Sequence, residues 1–184
     1  MAALTALRTA WTTVSHAAAF FGRHYPVVFA FGGAASIQRV ISVLYGDELP
    51  PAANVTGEIF TAAVRLAFVV WLVRTLIIRD GGLSRRAGPR LWAFCRVQWP
   101  VVVGHLVLLT AAALIFNNLL EGAGAALVSE DQLPTFWAWL LAVKNVTIIP
   151  FTLVWLVVMV RDALRMTPLT TEGQTASGSV LRTR

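Results

Sequence analysis

EIFTAAVRLAFVVWLVRTLIIRD, residues 58–80, decides the fold. It holds about twenty mainly apolar residues, enough at 1.5 Å per residue to cross a ~30 Å hydrocarbon layer. Acids precede it (Asp47, Glu48, Glu58), and a basic cluster follows (Arg79, Arg85, Arg86, Arg90, Arg96). Arg65 lies inside it, where a charge costs about 2.5–3.5 kcal/mol at a helix centre. The segment therefore reads as a membrane span with a readable orientation and one residue that demands a polar environment.

The whole chain follows suit. It is 57% hydrophobic and 13% charged, with a mean hydropathy of +0.70, and its apolar residues come in long blocks. That pattern excludes a single soluble core. It predicts an all-α integral membrane protein of four transmembrane helices at about 27–45, 59–78, 99–120 and 136–160, within a membrane domain of 25–166. Residues 1–24 are too polar to span. Leu4, Leu7, Trp11, Val14, Ala18 and Phe21 recur there at helical spacing, which predicts an amphipathic interfacial helix rather than a signal peptide. Pro26 and Pro100 open the first and third spans, and Pro150 falls inside the fourth, where a kink is expected. Residues 89–98 read as a short interfacial helix with Leu91, Trp92 and Cys95 on one side, and 167–184 as a disordered cytoplasmic tail.

The halves resemble each other. Tyr25-Pro26-Val27-Val28 matches Trp99-Pro100-Val101-Val102, and the later spans exit as Arg79-Asp80 and Arg161-Asp162. A duplicated hairpin with a pseudo-twofold along the membrane normal would explain the likeness, as would a common need of spans for similar flanks.

Charge sets the topology. Residues 46–58 and 121–134 carry acids alone, whereas 79–96 carry five Arg against one Asp. The positive-inside rule then predicts a multi-pass cell-membrane protein with both termini cytoplasmic. The net charge of +6 thus reports orientation, and no nucleic-acid-binding motif accompanies it, so nucleic acid is not an expected partner. Arginine and alanine dominance points to a GC-rich genome and a bacterial inner membrane. With a single cysteine, Cys95, neither an intrachain disulfide nor a multi-cysteine metal site is possible.

No catalytic set, metal site or cofactor motif is legible. The expected spans hold no Asp or Glu, and His16, His24 and His105 fall on separate elements. His105 reads as a packing residue, Arg74 as a snorkelling one, and Asn117 and Asn118 as helix caps. Arg39, Arg65 and Lys144 differ: they lie six to eight residues from the acid-flanked ends of three spans, roughly 9–12 Å deep. Each shares its face with a hydroxyl (Ser36, Thr61, Thr147), and Glu58 shares the face of Arg65. One expectation is a shared outward-facing cationic pocket for an anion or a partner's carboxylate; the other is separate snorkelling. Gly32 with Ser36, and Gly104 with Ala111 and Asn118, form small-residue seams suited to helix packing.

These features predict a non-enzymatic accessory or assembly subunit of a larger, lipid-related membrane complex. The alternative is a self-sufficient small carrier or anionic-lipid-binding protein, and a membrane enzyme is the third reading. Expected partners are other membrane subunits and anionic lipids. The topology is testable in a Cys95→Ser background. Single cysteines at Asn54 and Gly81 should label from opposite sides of the membrane, and labelling from one side would refute four spans in this order.

Overall fold

The computed structural model describes residues 2–79 and 87–166, and among these every regular element is helical. They form α1 (Ala2–Arg23), α2 (Tyr25–Tyr45), α3 (Pro51–Ile78), α4 (Ala87–Val97), α5 (Trp99–Ala126), α6 (Leu133–Val146) and α7 (Ile148–Met166). Four stretches are long and apolar enough to cross a membrane: Tyr25–Tyr45, Pro51–Ile78, Trp99–Ala126 and Glu130–Arg165. The chain is an all-α multi-pass membrane protein. The basic residues Arg85 and Arg86 and the expected disordered tail lie outside the described residues.

Proline sets the breaks. A proline inside a helix lacks a donor and clashes with the carbonyl four residues back, so the helix yields within the turn before it. Pro26 breaks the helix at His24 (φ −110°, ψ 18°), and Pro100 does the same at Gln98 (φ −106°, ψ 29°). The hydrogen bonds around the two breaks also match: His24 N–H to Phe20 O and Gln98 N–H to Phe94 O, each followed by two amides that return to the break residue. The local repeat is therefore real in backbone geometry. The packing is not symmetric: α2 lies between α3 and α6, whereas α5 packs on α1 and α4. A pseudo-twofold of two hairpins does not describe this arrangement.

Pro150 acts more strongly than a kink. Thr147 leaves the helical region (φ −122°, ψ −73°), ending α6, and α7 starts at Ile148. The break falls three residues before the proline because the Pro150 ring occupies the space of the Val146 carbonyl.

Three boundaries move outward from the sequence expectation. α3 begins at Pro51, since paired prolines that read as loop also pre-set the first helical turn. α5 runs on to Ala126, widening into π-type turns over Leu114–Ala123. α7 continues to Met166. Glu58, Glu121 and Asp162, expected in loops or flanks, therefore stand on helices.

α1 differs from expectation only in which part of its surface packs. It runs alongside α5 and α7 as part of the bundle, burying Ala6, Ala10, Thr13 and Ala17. Of the expected apolar stripe, Leu4, Leu7 and Trp11 are exposed, while Val14 and Phe21 pack against the core. In a membrane protein the bulky apolar face meets lipid, while small residues allow helices to approach. The same logic turns α4 inward on Phe94 and Leu91, leaving Trp92 and Cys95 outside.

The core has two parts. Val28, Phe68, Leu72, Leu76, Val154 and Val158 join α2, α3 and α7 with Ala17 of α1. Ala6, Phe94, Val101 and Ala163 join α1, α4, α5 and α7.

The tightest contact is α2 on α6. A Cβ at Gly32 would stand 2.5 Å from the Asn145 carbonyl oxygen and 2.8 Å from Val146 Cα. Ser36 Oγ, one turn on, donates to the Ala142 carbonyl at 2.9 Å. Gly104 is less crowded, its nearest neighbour being Ala10 Cβ at 3.4 Å. Ala111 is exposed and packs no seam. The inward positions of α5 run His105, Leu109, Ala112, Phe116, a period above 3.5, so a strict seven-residue seam drifts off the face.

Glycine substitutions should grade accordingly. Gly32→Ala should destabilise by about 1–3 kcal/mol, since backbone on both sides must shift. At Gly33 the nearest atom is Phe29 Cε1 at 3.9 Å, so Gly33→Ala should stabilise by up to ~1 kcal/mol through helix propensity. Thermal unfolding in detergent reads both, and equal effects would refute the close approach.

Candidate functional site

The three intramembrane cations do not share a pocket. Arg39 Nη1 pairs with Glu58, across α2 and α3, where both side chains keep substantial exposure. Arg65 Nη2 donates to Asn145 Oδ1 at 3.0 Å, across α3 and α6. Its Nε is buried with no partner among the described residues, beside a cavity of about 20 Å³ lined by Gly32, Asn145 and Pro150. Lys144 turns the other way, toward α5: Nζ donates to Asn117 Oδ1 at 2.9 Å and pairs with Glu121. Asn145 faces Arg65, and Lys144, one residue earlier on the helix, points elsewhere, so two cations at one depth serve two different helix contacts.

The hydroxyls expected beside these cations are engaged elsewhere. Thr61, 2% exposed, donates to Gln38 Oε1 at 2.8 Å and ties α3 to α2. Ser36 ties α2 to α6, and Thr147 Oγ1 donates to the Val143 carbonyl at 2.6 Å. Glu58 serves Arg39 rather than Arg65.

What the structure adds is a cleft. Between α5 and the broken α6–α7 pair lies an apolar space of about 750 Å³. Leu109, Ala112, Ala113 and Phe116 form one wall, Ile148, Ile149, Thr152 and Leu153 the other, and Phe21 of α1 and Phe151 complete it. Two polar contacts span it. At the end where α5 passes to α6, Lys144 reaches Asn117 and Glu121 on the π-type turns. At the other end Trp155 Nε1 donates to His105 Nδ1 at 3.1 Å, which puts the imidazole proton on Nε2 and leaves a neutral ring held in packing.

Lys144 is the most enclosed of these charges, its side chain only 11% exposed, against 31% for Glu121. An ammonium so placed is stable only with a countercharge and satisfied donors. Asn117 was readable as a cap, but Asn117 and Glu121 are four apart; that spacing is the one sequence signal that linked them. A π-type turn at such a place is common in functional regions.

A buried acid lies at the far end. Asp162, 9% exposed, accepts from Arg161 at 2.8 Å and from Thr13 Oγ1 at 3.4 Å, and His16 Nδ1 stands 3.6 Å away. It anchors α1 to α7. It stands two residues beyond the expected end of the last span, on the same helix, which continues to Met166. Among the described residues no group of three His, Cys, Asp or Glu is placed to hold a metal.

No protein-family model, curated protein or solved structure matches this chain.

The pairing of Lys144 is testable by contrast. Glu121→Gln leaves an enclosed ammonium without countercharge and should cost on the order of 3 kcal/mol. Glu58→Gln, in the exposed pair with Arg39, should stay within about 1 kcal/mol. Lys144→Met should be milder than Glu121→Gln, because the charge it leaves unpaired is the more exposed one, Glu121 at 31% against 11% for Lys144. Denaturation of the three variants in one detergent decides it; equal losses would refute the difference in burial.

Proposed function

We propose that this protein is a non-enzymatic lipid-binding membrane protein that holds one acyl chain in the cleft between α5 and α6–α7, with the head group at Lys144. The observation that carries the reading is the pairing of an apolar space of about 750 Å³ with one charged group at its end. Ligand pockets commonly occupy ~300–1,000 Å³ and carry a few convergent polar groups on apolar walls. The cleft is cut into helices that traverse the bilayer, so lipid chains are the molecules it meets. Its polar groups, an ammonium held by a carboxylate and an amide, orient and bind.

The cell membrane as its site, with both termini in the cytoplasm, belongs to this proposal and rests on the arginine-rich 79–96 segment against acid-only connections.

A specific observation also favours an accessory subunit. In Trp99–Ala126 only 11% of the most apolar stretch is buried by the rest of the chain, against 39% in Glu130–Arg165. A helix of another subunit would cover it. The two readings separate in one experiment: gentle-detergent extraction followed by native mass spectrometry. A one-to-one lipid adduct that Ala112→Trp abolishes by filling the cleft supports lipid binding. A co-purifying chain lost in the same variant supports the subunit reading. If neither accompanies the protein, both readings fail.

A further inference from the structure

Of Arg39, Arg65 and Lys144, only Arg65 has an uncharged partner among the described residues. Arg39 pairs with Glu58 and Lys144 with Glu121, while Asp162 is taken by Arg161. Arg65 has the Asn145 amide, whose Oδ1 accepts from Nη2 at 3.0 Å. A guanidinium stays charged in proteins, so titration offers no relief. Inside a span an uncompensated charge is strongly disfavoured, and an amide does not compensate it.

The orphaned donor shows where compensation fits. Arg65 Nε is buried without a partner among the described residues, and Arg65 lines a space of about 20 Å³. Four helices meet there: α2 through Phe31 and Gly32, α3 through Arg65, α6 through Asn145 and α7 through Pro150. Asn145 Oδ1 is already engaged, and its Nδ2 only donates. Both polar side chains on the wall thus offer N–H groups, and the other lining side chains are apolar. A water needs about 10–15 Å³ by the same measure, so the space takes one small species and excludes phosphate or an organic acid. A water would accept from Nε and leave the positive charge as it was. A halide accepts from Nε and cancels it. We propose that Arg65 holds one chloride ion at the junction of α2, α3, α6 and α7, where the ion serves as a structural countercharge. The site shares Ile149 and Leu153 with the wall of the large cleft but none of its polar groups, so it stands independently of lipid binding.

The full-length protein is purified in detergent, and its thermal unfolding is followed as sodium gluconate is exchanged for sodium chloride at constant ionic strength. Gluconate is too large for the space. The Tm should rise by a few degrees per tenfold increase in chloride once the site begins to fill, because the ion binds the folded state. Bromide should act as chloride does, and sulfate should not. Dialysis against radiolabelled chloride should leave one ion per chain on the wild type. Arg65→Gln, which keeps an amide donor for Asn145, should lose both the retained ion and the chloride response. Arg74→Gln, at an exposed position near the end of the same helix, should keep both. Where Arg65→Gln does not fold, the wild type and Arg74→Gln decide. A wild-type Tm equal in chloride and gluconate, with no ion retained, would overturn the proposal and give the space to water. Retention of the ion by a folded Arg65→Gln, or its loss from Arg74→Gln, would overturn the assignment to Arg65.

Discussion

At Gly32 the backbone of α2 meets the backbone of α6 with no side chain between them, and much of the polar architecture follows from that approach. With Gly32 against Asn145 and Val146, the Ser36 hydroxyl reaches the Ala142 carbonyl across the same seam. The rotation of α6 about its axis is thereby set. Asn145 is turned to Arg65 of α3, and Lys144, about 100° away on the helix, is turned to α5. One steric contact so distributes two buried cations to two different neighbours. In hydrocarbon, where water offers no driving force between helices, close approach through small residues is what holds such a bundle.

Proline supplies the second constraint. Pro26, Pro100 and Pro150 each end a helix two or three residues before themselves, at His24, Gln98 and Thr147. The first two breaks join an amphipathic helix to a span with the same hydrogen-bond pattern, so the likeness of the halves has a physical content. The third divides the last span and places Lys144 and Thr147 at the edge of a cleft. Two like local units are nonetheless used differently: the span after the first break, α2, lies between α3 and α6, while the span after the second, α5, packs on α1 and α4.

Charges inside the bundle each have a polar partner across or along the helices, an opposite charge in every case but Arg65, whose partner is a neutral amide. Arg39 has Glu58, Lys144 has Glu121 and Asn117, Arg65 has Asn145, and Asp162 has Arg161 and Thr13. The degree of enclosure separates their roles. Arg39 and Glu58 keep enough exposure for solvent or head groups to screen them, whereas Lys144 is shielded and bound to one arrangement. Lys144 is a satisfied charge that itself lines a large apolar space, and for that reason the proposed binding is centred on it.

Helix class, the number of long apolar segments and the positions of the helix-breaking prolines were legible in the chain itself, because hydrophobic length and the missing proline donor act locally. The Gly32–Ser36 stripe was legible as a packing face for the same reason: spacing of small residues along one helix is a one-dimensional pattern. Which helix it would meet was not. The helix ends were misread where Pro51, Glu121 and Asp162 mark continuation, since polar and proline residues begin helices as readily as they end them. The shared cationic pocket failed on the same ground. Depth along a helix can be counted from residue numbers, but the direction in which Lys144 and Arg65 point depends on the rotation of α6 and α3 about their axes. That rotation is decided by contacts between residues more than a hundred positions apart, such as Gly32 with Asn145. The cleft beneath Lys144 likewise exists only because α5 packs on α1 rather than on α6, a choice among helix faces that no single segment encodes.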